Sequence, residues 1–263
     1  MNGDEYGPVA DLYDHVIPYR NRADVAFFVD AAEKAGSPVL EVGCGTGRVL
    51  IPTARAGIEI VGLDLSSRML DVCRERLRAE PSAVQQKVAL VQGDMRHFDL
   101  VRRFALATIP FRPFQHLLTI DDQLACLATI RRHLADDGRL IFDLFNPSLD
   151  ALANMRLGEE TGTEPEFVTP DGRRVIRCFK IVAADRFEQV NDIELIYDVT
   201  NPDGSSARLV HAFRMRYLFR YEVEHLLARS GFVVEHLYAG YDRSAYGSIY
   251  PGELVFVARK AGA

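Results

Sequence analysis

The 263-residue sequence predicts a doubly wound α/β fold: a mostly parallel seven-stranded sheet with helices on both faces, and an antiparallel β insertion before the last helix. Three observations carry that prediction. Short apolar runs at 39–42, 58–63, 88–92, 104–109 and 140–145 alternate with helix-period segments, a rhythm that builds a parallel sheet buried on both sides. After Asn146-Pro147 the texture changes to a stretch rich in Gly, Glu, Thr and Pro over 148–172, and then to β-type runs separated by "AADRFE" and "NPDGSS". A final helix and two strands then return to the first pattern.

Taken in order, a helix over 23–35 precedes the strand 39–42, which runs directly into "GCGTG". The next helix, 47–56, stops at Gly57, where a C-terminal glycine is favoured. Pro52 lies inside that helix but near its start, where losing a donor costs less than the ~3 kcal/mol of a mid-helix proline. Beyond the strand 58–63, Ser66 offers a capping oxygen to the helix 67–79. After strands 88–92 and 104–109, "TIDDQ" reads as the cap of a helix over 122–134 rather than as a magnesium site, with Gly138 as that helix's terminal glycine. Runs at 174–183, 189–200 and 208–218 form a meander. Helix 221–230 ends at Gly231, and strands 233–239 and 253–259 are joined by "GYDRSAYGSIYPG". The chain thus divides into an N-terminal lid and docking helix (1–36), a ligand-binding core (37–147), an insertion serving as cover or dimer interface (148–219), and the rest of the core (220–263).

Composition narrows the partners. With 48% hydrophobic residues the chain can bury a sizeable core. A net charge of −6 with scattered basic residues speaks against nucleic acid. No apolar run approaches the ~18 residues of a membrane span, and "MNGDEYGPVADLYDH" is acidic where a signal peptide is basic, so a soluble cytoplasmic protein is expected. Cys44, Cys73, Cys126 and Cys178 lie far apart without a CxxC pair, which predicts reduced thiols. No His and carboxylate cluster has metal-ligand spacing, so no metal is expected.

The glycine bend carries the chemistry. Its spacing, Gly43-Cys44-Gly45-Thr46-Gly47, is GxGxG; a dinucleotide fingerprint needs GxGxxG and a P-loop needs a lysine that is absent. Such a bend lets a ligand approach the main chain and is expected to offer amide N–H groups near a helix start. Glu41 precedes it, Asp64 ends the second strand in "IVGLDLS", and Asp94 follows the third in "LVQGDMRHF". A carboxylate at the second strand tip can accept both hydroxyls of a ribose. Asp94 can accept from an exocyclic amine while Met95 lies against a purine face. Three acids around one crevice repel a pyrophosphate but suit a cationic sulfonium nucleoside.

"VLEVGCGTG", "GLDLSSRML" and "VQGDMRHF" resemble motifs I, II and III of the class I S-adenosylmethionine-dependent methyltransferases, over roughly residues 20 to 146. The resemblance implies a Rossmann-like fold, S-adenosylmethionine as cofactor and S-adenosylhomocysteine as product. It also implies cofactor contacts from Glu41, Gly43, Cys44, Gly45, Asp64, Leu65, Met69, Gly93, Asp94, Met95 and Ile109. "FQHLLT" resembles the segment beyond strand four in small-molecule enzymes that modify amino-sugars, which makes His116 a general base or acceptor-positioning group, or else a packing histidine at a helix start. "ADLYDHVIPYRNRADVAFFVDAA" resembles their N-terminal lid. There Tyr13, also a catalytic candidate, and Tyr19 would cover the sulfonium, and Arg22 would bind the methionine carboxylate, although a plain docking helix explains the same residues. Strand four ends in "TIPFRPF" rather than a DPPY-type signature, so base methylation loses support. Cys44 reads as a packed residue, not a nucleophile. Arg214, Arg216, Tyr217, Tyr241, Asp242, Arg243 and Tyr246 read first as solvated strand faces and an ordered turn, and only second as substrate contacts.

The expected activity is methyl transfer to a nitrogen or oxygen of a small-molecule acceptor, nitrogen being favoured by the sugar-type resemblance, with a homodimer left open. Two other classes stand beside it: a non-catalytic module that binds the adenosyl ligand, and a nicotinamide oxidoreductase, against which the glycine spacing counts.

Overall fold

Hydrophobic periodicity sets the element order. In the computed structural model, which describes residues 6–20 and 22–262, short helices α1 (Ala10–Tyr13) and α2 (Ile17–Arg20) precede α3 (Asp24–Ala35). There follow β1 (Val39–Val42), α4 (Leu50–Arg55), β2 (Ile60–Asp64), α5 (Ser67–Arg78), α6 (Ser82–Gln85), β3 (Val88–Gln92), β4 (Phe104–Ile109), α7 (Ile120–His133) and β5 (Leu134–Phe145). The second half holds α8 (Leu149–Ala153), β6 (Glu160–Thr161), β7 (Phe167–Val168), β8 (Arg174–Asp185), β9 (Val190–Thr200) and β10 (Ser206–Arg216), then α9 (Arg220–Arg229), β11 (Phe232–Tyr238) and β12 (Glu253–Lys260).

The main sheet has seven strands in the order β11-β12-β5-β4-β1-β2-β3, with β12 antiparallel to both its neighbours and the rest parallel. The expected fold class therefore holds. From β1 the chain moves to β2 on one side and later returns to β4 on the other, so strand order reverses between β1 and β4. In an open α/β sheet such a reversal leaves a crevice beyond the carboxyl ends of the strands, and this is where ligands bind.

Two cores clamp the sheet. On one face Leu40, Phe104, Phe142 and Phe256 pack with Leu127 and Ile130 of α7 and Leu227 of α9; on the other, Phe28 of α3, Leu50 and Ile51 of α4, and Leu70 and Cys73 of α5 do so. Each such buried side chain contributes about 1.5–3 kcal/mol of transfer free energy. A third cluster joins Val9, Leu12 and Val16 of the N-terminal segment to Phe167, Val175, Tyr197 and Val199 of the second sheet, β10-β9-β8-β6 with β7 on β8. Gln115, just beyond β4, donates to the Arg216 carbonyl at 3.0 Å, and Arg216 donates to that of Leu118 at 2.9 Å. The insertion is thereby tied over the carboxyl end of the main sheet.

Local departures have physical causes. The helix after the glycine bend begins at Leu50 rather than 47, because Gly43, Gly45 and Gly47 take φ of +72°, +54° and +81°, which no right-handed helix allows. Pro52 is then the third residue of α4, inside the first turn, where its missing N–H has no intrahelical acceptor to lose. Gly138 is no helix cap: it sits within β5, where a Cβ would lie 2.9 Å from the Phe104 carbonyl oxygen, beside a register shift at Phe104. The caps at Ser66 and Thr119 form, accepting from the Met69 and Asp122 amides at 3.1 Å each. Residues 148–172 fold into α8, β6 and β7, elements too short to show a period. Among the described residues no helix is long and apolar enough to cross a membrane.

Candidate cofactor and acceptor site

The crevice at the β1/β4 reversal is a single cavity. Glu41, Gly43, Cys44, Gly45, Asp64, Leu65, Met69, Gly93, Asp94 and Met95 line it, together with Tyr13 and His116. Three other residues singled out in the sequence lie elsewhere. Ile109 is wholly buried in the core beneath α7. Tyr19 packs at a tilt against Tyr13 and edge-to-face against Phe111, with ring centroids 5.0 and 4.7 Å apart. Arg22 donates to Asp24 at 3.2 Å and to the Tyr241 hydroxyl at 2.5 Å.

Four amides of the bend turn inward. Gly43 and Cys44 donate their N–H groups to the Leu63 carbonyl at 2.7 and 3.1 Å, Gly47 to that of Cys44 at 2.9 Å, and Gly45 to Asp64 Oδ2 at 2.7 Å. Those four donors are satisfied inside the fold, so a phosphate finds none of them to bind. The glycines serve backbone shape and closeness instead. A Cβ on Gly43 would stand 2.7 Å from Pro113, and one on Gly47 would stand 2.6 Å from Cys73 Sγ.

What the wall presents is acid. Glu41 is 2% exposed, its Oε2 has no hydrogen-bond partner among the described residues, and burial pushes its carboxyl up to about 8. An orphaned buried oxygen in a cavity wall fits a ligand that brings its own donor, such as an ammonium. Asp64 is oriented by the Gly45 amide and by that of Ser66 at 2.9 Å. Asp94 is gripped by the Arg96 guanidinium at 2.6 to 3.0 Å, and Arg96 also reaches Asp122 at 2.9 Å. The hydrogen bond from Arg96 holds Asp94 below the usual carboxylate range, so it stays ionised. Cys44 is the opposite case: burial drives its thiol well above its ordinary value, which leaves a neutral, packed side chain.

The far end of the cavity is aromatic. Tyr6, Tyr13, Phe111 and His116 line it, and the Tyr6 hydroxyl bonds His116 Nε2 at 3.2 Å. Burial lowers His116 to about 4 and raises the Tyr13 phenol well above its ordinary value, so both rings are neutral near pH 7. Phe111 lies under two guanidiniums, Arg22 at 4.6 Å and Arg48 at 4.9 Å from its centroid, and Arg48 pairs with Asp24 at 2.6 and 2.7 Å. Phe111 and Arg112 both have positive φ, +67° and +73°, a strain of about 1–3 kcal/mol each for non-glycine residues. Distant groups hold that turn. Asp143 accepts from the Phe111 amide at 2.6 Å and the Tyr241 hydroxyl at 2.8 Å, and Arg112 pairs with Glu253 at 2.7 Å.

Tyr241 is therefore a support for the turn, while Arg214 pairs with Asp192 at 2.9 Å and Arg243 with Asp30. Tyr6, Arg48 and Phe111 are lining residues that sequence reasoning missed. Phe111 lies inside "TIPFRPF", so its position beyond strand four was the available signal; Tyr6 and Arg48 carried none.

Residues 39–138 match the methyltransferase domain family. A dTDP-3-amino-3,6-dideoxy-alpha-D-glucopyranose N,N-dimethyltransferase of Streptomyces fradiae is 28% identical over 249 residues, spanning 90% of this chain and 88% of the relative. The CcbJ methyltransferase from Streptomyces caelestis matches over 100% of both chains with a TM-score of 0.79 at 27% identity. The glycopeptide N-methyltransferase MtfA, complexed with S-adenosyl-L-methionine, matches 90% of this chain and 93% of its own with a TM-score of 0.57 at 26% identity. These likenesses cover the strand tips and the bend that wall the acidic crevice, and the chain is an S-adenosylmethionine-dependent methyltransferase whose residues 39–138 match the methyltransferase domain.

Proposed function

We propose that the methyl acceptor is the amine of an amino sugar, bound at the aromatic end of the cavity. The observation that carries this reading is the hydrogen bond between Tyr6 and a neutral His116 at that end, opposite the acidic wall. The Streptomyces fradiae relative, named for an amino-sugar substrate, supports the same class. A small molecule is thus the partner and nucleic acid is not, in keeping with the net charge of −6. We place the reaction in the cytoplasm, in keeping with four free cysteines.

S-adenosylmethionine supplies an electrophilic methyl group on a sulfonium. Around it, Asp64 would accept the ribose hydroxyls, Glu41 the amino-acid ammonium, and Asp94 with Met95 the adenine; the negative wall attracts the cation as a whole. At the acceptor end the protein has two tasks. It excludes water, and by desolvation it favours the uncharged amine, which alone has a lone pair to offer. His116 accepts a hydrogen bond from an amine N–H and so aims that lone pair. It is a poor place to leave the proton: an aliphatic ammonium ionises at about 8 to 10, whereas this imidazole sits at about 4. The proton leaves with the product into water.

The direct test is turnover with a panel of amino sugars, their hydroxyl counterparts and simple amines, following S-adenosylhomocysteine and the methylated product by mass spectrometry. Methylation of amino sugars and not of their hydroxyl analogues is expected; equal turnover of the hydroxyl analogues sinks the reading.

Glu41 provides a second check. Its folded value of about 8 lies above its ordinary 4.5, so the folded protein keeps a proton that the unfolded chain has lost, and stability falls as pH rises through that window. The ligand's ammonium needs the ionised form, so S-adenosylhomocysteine affinity should rise from pH 6 towards 8, with a proton released on binding. Glu41→Gln should abolish that release, weaken binding by roughly tenfold and leave the fold at least as stable. Calorimetry in two buffers of different ionisation enthalpy measures it; a wild-type protein that releases no proton contradicts the assignment.

A further inference from the structure

We infer that His211, carried by the insertion strand β10, is a second acceptor-recognition residue that exchanges a hydrogen bond with a polar group of the bound acceptor in the place now taken by Tyr6. This rests on the reading of the aromatic end as the acceptor site.

His211 is 1% exposed, and among the described residues neither ring nitrogen has a hydrogen-bond partner. A neutral imidazole carries one donor and one acceptor, and burying both unpaired costs free energy that an apolar ring of similar shape would not. Packing does not require the polarity. His211 pairs across the ladder with Leu195, its neighbour two positions along the strand is Phe213, and its ring stands 4.9 Å from that of Phe213. Tyr6 lies over it with ring centroids 4.3 Å apart.

His211 thus stands one ring behind the cavity wall, since both Tyr6 and His116 line the cavity. Phe213 bridges the two imidazoles, 5.3 Å from His116. The Tyr6 hydroxyl already occupies His116 Nε2, the bond an acceptor polar group would make. Tyr6 belongs to the N-terminal segment rather than to the sheet, so it can withdraw without disturbing a ladder. When it does, the cavity extends to two imidazoles carried on separate elements, one beyond β4 and one on the insertion. Burial, with the nearby His116 and Arg177, keeps His211 uncharged, so a neutral hydroxyl or amine is the group it would recognise. A sugar carries both.

The test uses the full-length enzyme and whichever amine of the panel is turned over fastest. His211→Phe should raise the acceptor KM by roughly tenfold or more, leave S-adenosylhomocysteine affinity within twofold, and raise Tm by roughly 3 °C through loss of the orphaned groups. His211→Leu should raise Tm as well if bulk is not the cause, and His211→Gln should recover part of the KM. A purely structural histidine predicts the reverse, a lower Tm with an unchanged acceptor KM. An acceptor KM at the wild-type value in His211→Phe overturns the inference. So does a Tm that rises in neither apolar variant, a measurement that needs no acceptor and decides the matter alone if no amine is turned over. Turnover of another amine but of no amino sugar defeats the substrate proposal and leaves the test of His211 intact.

Discussion

Replacing Asp64 with alanine is expected to weaken S-adenosylhomocysteine binding by roughly 100- to 10,000-fold. Two hydroxyls bonding one carboxylate lose about 1.5–3 kcal/mol each, and each 1.4 kcal/mol is tenfold in affinity. The same carboxylate orients the bend: it accepts from the Gly45 amide at 2.7 Å and the Ser66 amide at 2.9 Å, so its removal also leaves two loop donors unpaired. That second loss falls on the free protein, and a Tm lowered by a few degrees is expected alongside weaker binding. Asp64→Asn is the milder change. Its one oxygen can serve only one of the two amides, since Gly45 donates to Oδ2 and Ser66 to Oδ1, and an NH2 group stands where the other oxygen was, so binding should still fall, though less than in Asp64→Ala. Turnover at saturating cofactor should stay within a few-fold of wild type, because the proposed ribose contact puts Asp64 at the sugar and not at the methyl group. A dissociation constant within threefold of wild type in Asp64→Ala refutes the ribose assignment.

The second large effect is at His116. His116→Ala should lower kcat by roughly 100- to 1000-fold, the range of a lost positioning or proton-handling group, with cofactor affinity within twofold. The pH profile tells the two roles apart. A group held at about 4 by burial is already neutral throughout the working range, so a positioning His116 adds no inflection near neutrality, and kcat/KM should rise with pH only as the acceptor amine loses its proton. His116→Asn, which can still accept a hydrogen bond, should then recover part of the activity. A neutral inflection that is present in the wild type and vanishes in His116→Ala means that the imidazole takes the proton itself. Wild-type turnover in His116→Ala with the true acceptor removes it from the reaction altogether.

Both predictions draw on residues that were legible before any coordinates, and it matters why. Glu41, the glycines, Asp64 and Asp94 sit at successive strand tips, so the period of the strands and the spacing of the motifs are enough to bring them to one crevice. Arg22 and Tyr19 rest on a resemblance instead. A lid resemblance places them near the cofactor, yet Arg22 is claimed by Asp24 and by Tyr241, the latter 219 residues away, and Tyr19 stacks beneath Arg177, with the guanidinium 4.3 Å from its ring centroid. Which partner wins a guanidinium depends on through-space geometry that no local pattern encodes.

By itself the sequence determined the alternation of elements, the mostly parallel sheet, the sharp backbone bend and the ring of acids, because these follow from periodicities and spacings within a few tens of residues. Tertiary structure alone decided that the Gly43, Cys44 and Gly45 amides are spent on Leu63 and Asp64, beside an acidic wall. It alone set the strained Phe111-Arg112 turn, held by Asp143 from β5 and by Glu253 at a separation of 141 residues. It alone brought His211 from the insertion up behind Tyr6. Burial and partnering are properties of the packed chain, and they decide which polar groups are left wanting a ligand.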